Sequence, residues 1–172
     1  MRYENMAGQE VSEGNPSYLG TPILPPVWKL QMIRDVNLPS ATQRLQIMGP
    51  GDVATPLLAY ISQEPQEHFV VVLLDTKNGV IGMNTVSVGS VAAVVIRAAE
   101  VFRPALLLNA STIIIAHNHP SGDPSPSPDD VRITEILVEA GKLLEIPVLD
   151  HIVVGDGKYI SMKERGLGFG RR

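Results

Sequence analysis

The chain contains no cysteine among its 172 residues, which excludes a disulfide framework and any thiolate-ligated zinc. A bound metal would have to be held by histidine, carboxylate or water. This absence fits a reducing cytoplasm, the compartment expected for the protein. Also missing is any uninterrupted apolar run near the roughly 20 residues needed to span a bilayer. The segment from Met1 to Gly20 has no apolar core followed by a cleavage site, so neither a membrane nor a secretory route is expected. Nor is there an excess of positive charge. The 14 Lys and Arg against 18 Asp and Glu leave a net charge of −4 and a pI near 5.5. That balance argues against a general electrostatic grip on nucleic acid and leaves only a local basic patch for such a partner.

What is present suits one well-buried core. Residues 1–26 are rich in Gly, Pro, Asn, Ser and Glu, with too little periodic apolar content to offset the entropy of ordering, so a flexible arm is expected there. Residues 27–52 read as a strand and a linker. Trp28, Leu30 and Met32 alternate with Lys29 and Gln31 over Val27 to Asp35, and that strand offers an edge for a second subunit. Turn chemistry follows at Met48-Gly49-Pro50-Gly51-Asp52. The spacing of Val53, Leu57, Leu58 and Ile61 then predicts a short helix.

The continuous β-branched run from Glu67 to Asp75 predicts a strand covered on both faces. Asn78-Gly79 signals a type I′ hairpin into Val80 to Val88. A helix is expected over Ser90 to Asn109, on the stripe Val94, Ala98, Val101, Ala105 and Leu108, with Pro104 as a kink or break. Thr112 to Ala116 is a further strand. Ser127 to Ile146 reads as a helix with Ile133, Leu137, Ala140 and Leu144 buried and Gly141 as a tolerated weak point. Val148 to Val154 and Lys158 to Met162, joined at Asp156-Gly157, form a closing hairpin. The tail over residues 167–172 is expected to fray. Hairpins interleaved with amphipathic helices imply a layered α/β architecture, a mixed sheet flanked by helices.

Chemistry concentrates where the strand at Thr112 ends. His117 and His119 stand at i and i+2, so both imidazoles can project from one face. A lone pair at that spacing is frequent by chance. Two imidazoles and one carboxylate, with a fourth position for water, make a catalytic zinc set. Asp130 supplies the carboxylate if the loop after Pro120 folds the next helix back over the strand end. Pro120, Pro124, Pro126 and Pro128 stiffen that loop, and Gly122 permits a turn. Ser127-Pro128-Asp129-Asp130 is a helix start with Ser at N-cap and Pro at N1. Beside a metal, the Ser127 hydroxyl has a second available role as a donor to a developing oxyanion. His68, alternating away from Glu67, reads as packing or surface, and His151, after Asp150, as a residue that orients a neighbour through a carboxylate contact.

The spacing His117-x-His119, seven residues, Ser127, two residues, Asp130 resembles the JAMM (MPN-plus) metalloprotease pattern in full. The flanking runs Glu67-His68-Phe69, Glu100-Val101-Phe102-Arg103, Ala116 to Gly122 and Leu149-Asp150-His151-Ile152 are similar to its RadC branch. The resemblance covers the stretch 53–166. It implies a JAMM/MPN-like, cytidine-deaminase-like core with zinc on His117, His119 and Asp130. It also implies a general base on the first core strand, where Glu67 stands; Glu64 competes but lies in a turn. Two departures are visible. The first 52 residues are too short and too Pro/Gly-rich for the helical N-terminal domain often found in that branch, and Ala98-Ala99 replace its usual Pro-Arg.

The function expected on this basis is a zinc-dependent hydrolase acting on a peptide or isopeptide bond of a protein substrate. The competing reading is a DNA-repair or mobile-element accessory protein, with a structural metal and a nucleic-acid or protein partner. The acidic balance weighs against it. An inactive scaffold is disfavoured because every ligand position is kept.

Overall fold

The computed structural model describes residues 3–4, 10–11, 45–89 and 96–170. The chain divides into two units, residues 1–30 and 31–172. In the first, where a flexible arm was expected, β1 (Tyr3–Glu4) and β2 (Glu10–Val11) pair antiparallel, Tyr3 with Val11 and Glu4 with Glu10. The strand expected over Val27 to Asp35 lies outside the described residues.

In the second unit the order is α1 (Pro50–Ile61), β3 (His68–Leu74), β4 (Val80–Val88), α2 (Ala98–Leu107), β5 (Thr112–Asn118), α3 (Pro128–Leu143), β6 (Val148–Gly155) and β7 (Lys158–Ser161). The five strands form one mixed sheet in the order β4-β3-β5-β6-β7. Only the β5–β6 pair is parallel, with α3 as its crossover. The sheet is covered on both faces, which explains the unbroken apolar runs of its central strands. Phe69, Val71, Leu73, Ile113 and Ile115 face α2 and α3, meeting Val101, Phe102, Ala105 and Leu137. The intervening Val70, Val72, Leu74, Ile114 and Ala116 face α1 at Val53, Ala54, Leu57 and Ile61. The layered α/β reading is thus the observed architecture. His117, in step with Ile113 and Ile115, belongs to the α3 face.

Several local expectations need correction. The turn residues before α1 are already its start. Gly49 is the N-cap, Pro50 takes the first helical position, and Asp52 Oδ2 accepts from the Met48 and Gly49 amides. Asn78-Gly79 does mark a hairpin, but not a two-residue type I′ turn. Only Asn78 has positive φ, and the Asp75 side chain accepts from the Lys77 and Gly79 amides. The type I′ signature, positive φ at both central residues, occurs at Asp156-Gly157.

The described helix α2 starts at Ala98, not Ser90, because Arg97 is extended and caps it; Val94 lies outside the described residues. Pro104 sits inside α2 without breaking it. The helix ends when Asn109 turns left-handed and Ala110 N–H donates back to Ala105 O. On α3 the inward residues are Asp130, Thr134, Leu137 and Gly141, and Leu144 is exposed. Of the expected stripe, Leu137 is fully buried and Ile133 and Ala140 pack partly buried against the core, and the polar residues of the site share that inward side. Gly141 is a close-packing position, since a Cβ there would lie 2.7 Å from Ile146 O. Over 167–170 the tail is packed rather than frayed: Leu167 N–H donates to Met162 O, Gly168 abuts Thr134, and Phe169 joins the core.

Candidate metal centre

Strand β5 carries His117 on the α3 face, and the chain leaves the sheet at His119, whose amide still donates to Val154 O on β6. The loop then turns at Gly122, where φ is +85° and the amide donates to His119 O. It delivers α3 with its N-terminus over the end of β5. Ser127 caps the helix by accepting from the Asp130 amide, and Asp130 Oδ2 accepts from Ser127 N–H and from its hydroxyl, both at 2.7 Å. This reciprocal box fixes the Asp130 carboxylate at the first turn of α3, pointing inward.

The result is a convergence of three donor atoms. His117 Nε2 lies 3.2 Å from Asp130 Oδ1, His119 Nε2 lies 3.6 Å from Asp130 Oδ2, and the two Nε2 atoms are 3.0 Å apart. The donor atoms all lie within 4.8 Å of one another, and this group could hold a metal ion. His117 and Asp130 are buried, whereas His119 is partly open to solvent. His119 Nδ1 faces Asp123 O at 2.7 Å. A carbonyl only accepts, so that nitrogen carries a proton and Nε2 is left to face the group. Two imidazole nitrogens and one anionic oxygen, with an approach from the His119 side, form a donor set that fits zinc.

The electrostatics follow from this crowding. Burial alone would raise the Asp130 carboxyl, but hydrogen bonds from His117, His119 and Ser127 hold it well below the ordinary carboxylate range. The Asp130 bond raises His119 above its usual value, against the opposing effect of burial, with help from Asp123 O and from the nearby Glu67 carboxylate.

Glu67 stands just ahead of β3. Phe69 pairs with His117 in antiparallel register, and continuing that register by two residues sets Glu67 opposite His119. The Glu67 carbonyl is tied to Gly89 N–H. The competitor Glu64 pairs instead with His68 at 3.6 Å, and both are turned away to partly exposed positions. His68 is thus a surface-side residue, as its alternation indicated.

Two further buried residues adjoin the group. His151 on β6 places Nε2 2.8 Å from His117 Nδ1, and its Nδ1 lies 2.6 Å from Thr134 Oγ1. Its neighbour is therefore an imidazole and a hydroxyl, not the carboxylate expected. Asp150 Oδ1 accepts from the backbone N–H groups of His151 and Lys163, and Oδ2 accepts from Ser161 Oγ. Complete burial and the adjacent His117 push His151 well below its usual value, so its ring is neutral. Thr134 was not anticipated. Its signal was positional: it follows Asp130 by one helical turn and so shares its inward face.

Comparison with known proteins places this geometry in context. The profile of the RadC-like JAB domain family matches residues 47–167. A UPF0758 protein of Chloroflexus aggregans is 48% identical over 140 residues, covering 81% of this chain and 61% of the relative. A UPF0758 protein of Methanosarcina mazei is 46% identical over 122 residues, covering 71% of this chain and 53% of the relative. The chain thus spans less than two thirds of the length of these relatives. Among the described residues, no helix is long and apolar enough to cross a membrane.

Proposed function

The chain belongs to the RadC-like JAB domain family, and on that premise we propose that it is a zinc-dependent hydrolase cleaving a peptide or isopeptide bond. The observation that carries the proposal is the convergence of His117 Nε2, His119 Nε2 and an Asp130 oxygen within 4.8 Å. These three residues would hold the ion. Zinc bound there supplies Lewis-acid chemistry, lowering the pKa of a coordinated water to roughly 7.

The remaining steps belong to side chains of this chain. Glu67, opposite His119, takes the proton of the attacking water and returns it to the leaving amine as the C–N bond breaks. Ser127 keeps its hydroxyl proton on Asp130 Oδ2 in the resting geometry. To donate to the oxyanion it has to turn that proton toward substrate, a short rotation about its side chain, while its backbone N–H continues to hold Asp130. The partly open side of His119 is the direction of substrate approach.

The test is metal analysis of the purified protein combined with a peptide and isopeptide library read by mass spectrometry. Near-stoichiometric zinc is expected in wild type and in Glu67→Gln, and is expected to be lost in His117→Ala. New amine and carboxylate ends should appear with wild type only. Wild-type protein that takes up no zinc would overturn the proposal.

A further inference from the structure

The proton inventory of the buried residues behind His117 has a definite solution. Thr134 is fully buried, and its hydroxyl has one proton to give and two lone pairs. Its Oγ1 lies 2.5 Å from Asp130 O, one turn earlier on α3, and 2.6 Å from His151 Nδ1. Were the hydroxyl proton directed at His151, an oxygen lone pair would face the Asp130 carbonyl oxygen at 2.5 Å, acceptor against acceptor. The proton therefore goes to Asp130 O. The contact with His151 must then be supplied by His151 Nδ1–H.

A neutral His151 with its proton on Nδ1 has a bare Nε2. That lone pair accepts from His117 Nδ1–H across 2.8 Å, which leaves Nε2 as the His117 nitrogen on the side of His119 and Asp130. We propose that Thr134 and His151 are positioning residues that hold His117 through its Nδ1–H, so that Nε2 is the nitrogen presented to a divalent cation. This inference rests on the reading of His117 as a metal ligand. His119 is held through its own Nδ1–H by a simpler route, the Asp123 carbonyl.

The surroundings keep the relay from relaxing. Phe69 stacks on His117 with the ring planes 6° apart and meets His151 edge-on at 5.7 Å. Gly168, at φ +76°, passes so close to Thr134 that a Cβ would lie 2.7 Å from the threonine Cβ. Met162 Sδ lies 3.6 Å from Thr134 Oγ1. The three side chains are thus held in rotamers that leave each polar atom one partner arrangement.

The decisive experiment needs no variant. In metal-free wild-type protein labelled with 15N-histidine, long-range proton–nitrogen correlation spectra should show Nδ1 protonated in both His117 and His151 and Nε2 bare in His151. A proton on His151 Nε2, or none on His117 Nδ1, would overturn the proposal. Zinc affinity, measured by competition with a chromophoric chelator on variants whose melting shows them folded, supplies the second readout.

His151→Phe, which removes the acceptor, should weaken zinc binding about 10–100-fold, the scale typical of partners that orient a metal-ligating histidine. Thr134→Val should weaken it in the same direction. His151→Gln, whose side-chain carbonyl replaces the acceptor, should restore most of the affinity. A folded His151→Phe that binds zinc like wild type would also overturn it. Wild-type protein that shows these protons but takes up no zinc would support the tautomer assignment and remove the metal-site reading instead, so the two failures are told apart.

Discussion

Gly155 passes so close to Gly122 that a Cβ built on residue 155 would lie 2.6 Å from the Gly122 carbonyl oxygen and 3.1 Å from Pro124 N. The end of β6 is the floor on which the proline-rich loop rests. That loop carries Asp123, whose carbonyl holds His119. Gly155→Ala should therefore lift the loop, costing about 1–3 kcal/mol of stability as an overpacking change. It should also weaken zinc binding by roughly 10-fold or more, as loss of an orienting contact does. Gly82→Ala is the control, because nothing lies within 4 Å of its Cβ position. Urea unfolding and chelator competition on the two variants check this, and equal behaviour would refute the role given to Gly155.

Much of the site was legible because its chemistry is written in fixed local spacings. His117 and His119 needed only the alternation of a strand, and Ser127 and Asp130 only the start of a helix. Glu67, expected on the first core strand, stands just ahead of β3, where the register extended by two residues sets it opposite His119. Thr134 and His151 were not legible in the same way. Their partnership depends on α3 crossing over the parallel β5–β6 pair, a contact between residues 17 apart in sequence. The stripe of α3 held at Ile133, Leu137 and Ala140 and failed at its end. Leu144 is the C-cap of α3, where the chain leaves the helix, and it is exposed. The tail at 167–170 gave no apolar period to read, yet Gly168 fits against Thr134 because it lacks a side chain.

Ser127 has two separable duties. As the N-cap of α3 it accepts from Asp130 N–H at 3.2 Å, and Ser127→Ala should cost about 1 kcal/mol of stability for that alone. Zinc content should persist, since neither histidine nor the Asp130 carboxylate is removed. If the hydroxyl also serves the oxyanion, hydrolysis should fall by about 100–1000-fold with bound zinc unchanged. A stability loss with hydrolysis untouched would leave Ser127 as a cap only. Thermal melting and single-turnover cleavage on the same preparation separate the two.

The depressed proton affinity of His151 makes a pH prediction. Its folded value is lowered by burial and by His117, so the unfolded chain binds that proton more readily. The associated stability is present above the unfolded value of about 6.5 and is lost as pH falls below it. In metal-free protein, wild type should lose about 1.4 kcal/mol relative to His151→Gln between roughly pH 7.5 and 5.5. His119 and Asp130 are present in both proteins and drop out of the difference to first order. Urea unfolding at the two pH values gives it directly, and a difference independent of pH would count against a neutral buried His151.

Asn118 stands between the two histidines but points to the other face, and there it governs Glu67. Its Oδ1 accepts His68 N–H at 2.6 Å, and its Nδ2 donates to Glu64 O at 3.3 Å and Gln66 O at 3.0 Å. Three backbone groups around Glu67 are thus clamped by one buried amide on the strand that carries His117. Asn118→Ala should cost about 2–3 kcal/mol, because it leaves these groups without partners. Asn118→Asp cannot replace it, since a carboxylate accepts from His68 but donates to neither carbonyl.

In both variants the amides of Glu64, Gln66, Glu67 and His68 should exchange with deuterium faster while zinc is still bound. Cleavage should fall by about 100-fold, the scale of a misplaced catalytic group. Unchanged exchange in that segment would show that the Gly89 contact and the sheet hold Glu67 without Asn118.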